Sequence, residues 1–244
     1  MESYTRKKYA KRRRVVLLLL SAIFISSMTM LNLLGTSRFL DLSFSFFGVE
    51  IPMILAVGVL PYPITFLCTD IISEVYGEKK ASELVWAGLI VNLWLGIILS
   101  LGGIIPSYTT SNLSVDSNDA FMTIRALSLS TIAASMVAYF FAQYSDVKIF
   151  HLLKKYTKGK KLWLRNNVST MVGQLIDTVC VISITYFLSK TIPIPEGKSE
   201  LEGLFLLIMY AYVFKFFIAL LDTPILYGAV KYLKKYLGIA EDNI

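Results

Sequence analysis

The chain has 244 residues, of which 55% are hydrophobic and 17% charged, and its mean hydropathy is +0.62. That balance excludes a soluble domain of this length and places the chain in a lipid bilayer. The net charge of +7 does not point to nucleic acid, because the basic residues fall in short blocks beside apolar segments, the pattern that orients a membrane protein.

Residues 1–14 form a basic tail carrying seven Lys/Arg. The first apolar run follows at 15–34, VVLLLLSAIFISSMTMLNLL. About 20 apolar residues are enough to cross the hydrocarbon core, so the run reads as a retained span and not as a cleaved leader. Asn32 lies near its outer end. The second span is expected over about 50–75. PYP at 61–63 interrupts it, and broken helices of this kind border substrate cavities in transporters, although a simple bend would look the same. This segment ends in TDIISEVYG, which sets Asp70 and Glu74 one helical turn apart on one face and puts Gly77 where a helix C-cap belongs. Cys68 and Cys180 both sit inside apolar runs and read as small buried hydrophobes, not as a disulfide.

Further spans are expected at 81–105, 121–144, 168–190 and 203–228. Every run is long enough to cross as a helix, and none alternates with the two-residue period of a barrel strand. The expected fold class is therefore an all-α integral membrane protein of six transmembrane helices, a single domain over 15–235 with a short closing tail at 236–244. The loops give the orientation. Nineteen Lys/Arg fall on the side of the two termini, and only Arg38, Lys190 and Lys198 fall on the other. By the positive-inside rule both termini are cytoplasmic in the cell membrane.

Polar residues inside the spans carry the functional signal. The fourth span ends AQYSDV and the fifth contains GQLIDT, so Gln143 with Asp146 and Gln174 with Asp177 each put an amide and a carboxylate on one helical face. Lys215 falls near the midplane of the sixth span, where an unpaired charge costs at least about 2.5 to 3.5 kcal/mol, and Asp177 lies at similar depth. The two are expected to pair. Asn32, Asp70, Glu74 and the two Q-x-x-D units then supply amides and acids from four helices that should converge on the interior. Interhelical hydrogen bonding accounts for any one of them but does not call for four acids. An amide beside a carboxylate suits a flat heterocycle, since the amide offers a donor and an acceptor together while the carboxylate accepts from ring N–H and exocyclic amine groups. Tyr139, Phe140, Phe141, Tyr76, Phe66 and Tyr212 are available for stacking. The sequence has no phosphate-binding G-x-x-x-x-G-K-[ST] loop, no H-E-x-x-H and no G-x-S-x-G, and the single histidine, His151, stands in a basic stretch without ligands in spacing. Neither an ATPase nor a metalloprotease is indicated, and no cofactor is called for.

Four ordered stretches, FLCTDIISEVYG, AYFFAQYSDVKIF, LWLRNNVSTMVGQLIDT and VFKFFIALLDTPILYG, together resemble the queuosine precursor transporter family, also called vitamin uptake transporters, over residues 15 to about 235. The resemblance implies a six-helix protein similar to the membrane-embedded substrate-binding subunits of energy-coupling factor transporters, and import of a 7-deazaguanine such as preQ0 or preQ1. Carried onto this chain it marks Asp70, Glu74, Gln143, Asp146, Arg165, Asn166, Ser169, Gln174, Asp177 and Lys215. The expected partners are a small 7-deazapurine and the lipid bilayer, with no nucleic acid, and the chain is a candidate homo-oligomer. Three readings stay open at this stage: an importer that acts alone, a binding subunit that needs a separate energising partner, and a membrane scaffold that does not transport.

Overall fold

The computed structural model describes residues 2–35, 37–46, 49–51, 53–107, 117–189 and 198–239. Helix α1 runs Glu2–Leu34, so the basic tail is not a separate segment but the first turns of the first helix. It is anchored to the far end of the chain. The Arg12 guanidinium lies 4.3 Å from the centre of the Tyr236 ring and donates to the Tyr236 carbonyl at 3.1 Å, which makes stem and cation both useful for packing.

The expected second span is not one helix. Among the described residues between 39 and 56 are four short strands: β1 (Phe39–Asp41), β2 (Phe44–Phe46), β3 (Val49–Ile51) and β4 (Ile54–Ala56). β1 pairs antiparallel with β4, with Leu40 opposite Leu55, and β2 pairs with β3. A 3-10 turn at Val57–Val59 follows, and only then does α2 begin, at Tyr62–Tyr76. The cause lies in the prolines. Pro61 sits at the N-cap and Pro63 in the first turn, where a missing N–H leaves nothing unsatisfied, so PYP starts a helix instead of kinking one. With 15 residues, α2 is about 22 Å long and too short for a core of about 30 Å.

The remaining helices are α3 (Glu78–Ile104), α4 (Ser117–Tyr156), α5 (Leu162–Ser189) and α6 (Glu200–Leu237). Gly77 serves both as C-cap of α2 and N-cap of α3 with φ +90°, a conformation that side chains disfavour. α6 opens on a capping box between Ser199 and Glu202 and closes on Gly238 in the left-handed region. Among the described residues five helices, all but α2, are long and apolar enough to cross a bilayer. The chain is thus a multi-pass, mainly helical membrane protein with six helices, of which five meet the length of a full span.

The core lies where α1, α2, α3 and α4 meet, around Phe24, Ile72, Ala81 and Tyr139, and a second cluster of Ile71, Leu226 and Val230 joins α2 to α6. Outward faces are equally apolar: Trp86, Ile90, Trp94, Phe217 and Leu221 are all exposed, as suits helices solvated by lipid tails. Cys68 and Cys180 are free thiols. Arg125, which falls within the expected fourth span, donates from Nε to the Leu99 carbonyl at 3.0 Å, in a space left open by Gly103, whose added Cβ would collide with that nitrogen.

Candidate functional site

α4 and α5 approach closely because Gly173 has no side chain: a Cβ there would lie 3.1 Å from the Ala142 carbonyl oxygen and 3.2 Å from the Asp146 Cβ. This contact sets the two Q-x-x-D faces side by side. From there upward a cavity of about 140 Å³ opens between α1, α2, α4, α5 and α6, roofed by β1, β4 and the 3-10 turn. It exceeds the space one water needs roughly tenfold. Most of the wall is apolar or aromatic, with the Tyr62 and Phe66 rings 4.9 Å apart and tilted to each other, and Tyr139 also in the lining. Three of the expected site residues line it: Gln143, Asp177 and Lys215.

Lys215 and Asp177 form the pair their depths suggested. The Lys215 ammonium donates to Asp177 Oδ2 at 2.8 Å and to Thr178 Oγ1 at 3.0 Å, and lies 3.9 Å from the centre of the Tyr62 ring. Carboxylate, hydroxyl and ring face compensate a charge that is only 8% exposed. Gln143 is different. Its Oε1 is buried and finds no hydrogen-bond partner among the described residues, in a side chain that belongs to the cavity lining, and buried acceptors without a donor are costly.

The other expected residues lie outside the cavity lining. Asp70, Asp146, Ser169 and Gln174 are buried one to two turns further along α2, α4 and α5, away from the roof. Asp70 is close enough to Asp146 and Asp222 for their charges to interact. Among the described residues no Lys, Arg or His pairs with Asp70 or Asp146. Asn166 adds another buried oxygen without a partner among those residues. Asn32 sits apart in a polar contact of α1, α3 and α4: its amide nitrogen donates to Asn92 Oδ1 at 2.7 Å, and the Ser135 hydroxyl donates to its oxygen.

Glu74 and Arg165 occupy the opposite end of α2 from the cavity. Glu74 Oε1 meets Lys234 of α6 at 3.2 Å, while Oε2 meets Lys154 of α4 at 3.2 Å and Arg165 of α5 at 3.6 Å. The Arg165 guanidinium also lies 5.2 Å from the Phe150 ring centre. Next to this knot the Ser73 hydroxyl and His151 Nε2 are 3.0 Å apart. Of the aromatic candidates only Phe66 and Tyr139 reach the cavity. Phe140 packs against Trp86 and Tyr144 on the outer surface, and the Tyr76 hydroxyl donates to the Arg13 carbonyl.

Sequence reasoning missed Tyr62, Thr178, Asn92, Lys154 and Lys234 as partners of these groups. Tyr62 lies inside PYP, where the prolines carry the stronger signal, and the two lysines count toward orientation without revealing a contact.

The profile of the family described as "Putative vitamin uptake transporter" matches residues 56–229. The chain belongs to this family. The match starts at the end of the strand segment and so covers less than the 15–235 expected from the four stretches. Among curated relatives, the "Probable queuosine precursor transporter" of Bacillus subtilis (strain 168) is 27% identical over 176 residues, 72% of this chain and 71% of the relative. The "Queuosine precursor transporter" of Escherichia coli (strain K12) is 25% identical over 174 residues, 71% of each chain. A Haemophilus influenzae relative, also a "Probable queuosine precursor transporter", is 25% identical over 177 residues, 71% of this chain and 67% of its own. No solved structure matches the chain. Gln143, Asp177 and Lys215 of the cavity, the acids beneath it, and Glu74 with Lys154 and Arg165 all fall within the matched residues, whereas Lys234 lies just past them.

Proposed function

We propose that this chain imports a queuosine precursor, a 7-deazaguanine such as preQ0 or preQ1, with both termini cytoplasmic, and that the cavity under the strand roof is where the ligand binds. The observation that carries this reading is the unpartnered Gln143 oxygen in a cavity that also holds the Lys215–Asp177 pair. A guanine-like edge shows a carbonyl acceptor, a ring N–H and an exocyclic amine in a row. Lys215 can donate to the carbonyl, and the Asp177 and Gln143 oxygens can accept from the N–H groups. Because the ion pair is neutral as a unit, a flat heterocycle without charge, such as preQ0, enters without stranding a charge, and Tyr62 and Phe66 supply an aromatic wall. The names of the relatives support the same substrate class.

Uptake of labelled preQ1 by cells that express this chain and lack their own route for the compound tests the proposal. Accumulation is expected in cells with the chain and not in cells with Lys215→Met. Absence of uptake by the chain alone, with binding to the purified protein retained, would favour the binding subunit that requires an energising partner.

A further inference from the structure

We infer that Glu74 is the inner gate of the transport path, held shut by its ion knot and worked from the cavity through α2; this rests on the cavity being the substrate site. One carboxylate, 8% exposed, is tied to three other helices at once: Lys154 on α4, Arg165 on α5 and Lys234 on α6. These helices, with α2 itself, are also four of the five that wall the cavity. The knot therefore draws together, at one end, the elements that must separate there if a ligand is to leave the cavity lengthwise.

The charge count makes the lock depend on this one side chain. Three cations share a single anion, and Arg165 Nε and Nη1 are buried without a partner among the described residues. With Glu74 neutral, three positive groups would face one another from three helices, and like charges at such range repel. Apolar packing of Ile71, Leu226 and Val230 adjoins the knot, and the ionic part of the seal can be broken and remade without repacking that cluster.

α2 connects lock and cavity mechanically. Tyr62 and Phe66 at its start face the cavity, and Glu74 near its end carries the knot, with Tyr62 and Glu74 some 18 Å apart at about 1.5 Å per residue. Both ends of this helix have joints. A 3-10 turn precedes it, and Gly77 at φ +90° joins it to α3. A short rigid rod between two such joints moves as a unit, the pattern of a hinged element. A ligand that displaces Tyr62 from the Lys215 ammonium tilts α2 and pulls Glu74 from its cations.

Thr170 provides the test position. It lies on α5 between the knot residue Arg165 and the cavity residue Asp177 and is buried. In a chain carrying Cys68→Ala, Cys180→Ala and Thr170→Cys, the reaction of the single introduced thiol with an impermeant maleimide is measured in inside-out vesicles, where the Lys-rich side faces the reagent. Loss of charge-assisted contacts in Glu74→Gln should raise the labelling rate roughly ten- to a hundredfold, and calorimetry with preQ0 should give an affinity equal to or tighter than that of the unsubstituted protein, since Glu74 does not line the cavity and a ligand that favours the open knot gains when the knot is already open. Lys154→Gln, which removes the most exposed arm of the knot, should accelerate labelling less. If Glu74→Gln does not fold, Lys154→Gln alone decides. Unchanged labelling in the folded variants overturns the gate. So does an affinity loss in Glu74→Gln that equals its uptake loss, which would make Glu74 a ligand-binding residue. Failure of the unsubstituted protein to bind preQ0 would instead refute the substrate assignment and leave the labelling result standing.

Discussion

Replacing one member of the Lys215–Asp177 pair should damage the protein more than replacing both. At 2.8 Å the gross attraction is about 6 kcal/mol at an effective dielectric of about 20, and much of it offsets the cost of taking both charges out of water. The pair's net contribution is therefore small, whereas a single survivor keeps the desolvation cost without its partner, typically about 3–5 kcal/mol. Lys215→Met leaves the Asp177 carboxylate beside the Tyr62 ring. Asp177→Asn leaves an ammonium with a neutral amide, the Thr178 hydroxyl and the ring face but no counter-charge. In thermal unfolding of detergent-purified protein, each single variant should lose on the order of 10 °C. The double variant Lys215→Met/Asp177→Asn should lose less than either single, a recovery of about 3 kcal/mol or more relative to the sum of the singles, at the upper end of the coupling for groups in direct contact. Strictly additive losses would refute the reasoning, because they would mean that neither charge responds to the other.

Gln143→Leu removes the free acceptor of the cavity and should weaken preQ0 binding by roughly two- to tenfold, the worth of one neutral hydrogen bond, while Asp70→Asn, one layer below the lining, should leave affinity within about threefold; calorimetric titration of both checks the ordering. Gly58→Ala would bring a Cβ to 2.8 Å from the Leu31 carbonyl oxygen and 3.1 Å from the Gly35 Cα, backbone that cannot yield easily, so the roof should lose about 1–3 kcal/mol, visible as a lower melting temperature with ligand present and absent. Orientation follows from the Lys/Arg asymmetry: in a chain free of its native cysteines, Asp41→Cys should react with an impermeant reagent added to intact cells and Thr157→Cys only after permeabilisation, and the reverse result would invert the membrane topology.

The contacts that were legible in the sequence are those that charge in lipid makes obligatory. A lysine near the midplane demands a partner, and counting residues from the span ends was enough to choose Asp177. The Q-x-x-D spacing was equally readable as a shared helical face, but a face is not a depth. Gln143 and Asp177 reach the cavity, whereas Asp146 and Gln174, about one turn away on the same helices, fall in the layer beneath. Glu74 was legible as a neighbour of Asp70 and illegible as a hub, since Lys154 and Lys234 stand 80 and 160 residues further along the chain. Asn92 gave no signal as the partner of Asn32 for the same reason. Long-range pairing is set by how helices assemble, and local spacing does not encode it.

The broken second segment has a physical logic that hydropathy alone does not reach. An apolar window averages transfer energies and is indifferent to whether the backbone is helical or extended, so the run before Pro61 resembles a continuous span. Yet an extended backbone at membrane depth is stable only if its N–H and C=O groups are paired and it is covered by protein or lines a cavity. Both conditions hold here. β1 and β4 pair with each other, the Val57 N–H donates to the Arg38 carbonyl at 2.8 Å and the Gly58 N–H to the Gly35 carbonyl at 3.1 Å, and residues of the same segment form the cavity roof. Had this stretch been helical, α2 would extend as a full span and the roof would be lost. A helix of 15 residues therefore leaves room for a non-helical cap over one end of the cavity and places Glu74 at the other, so the length of α2 fixes the distance between the cavity and the ion knot at Glu74.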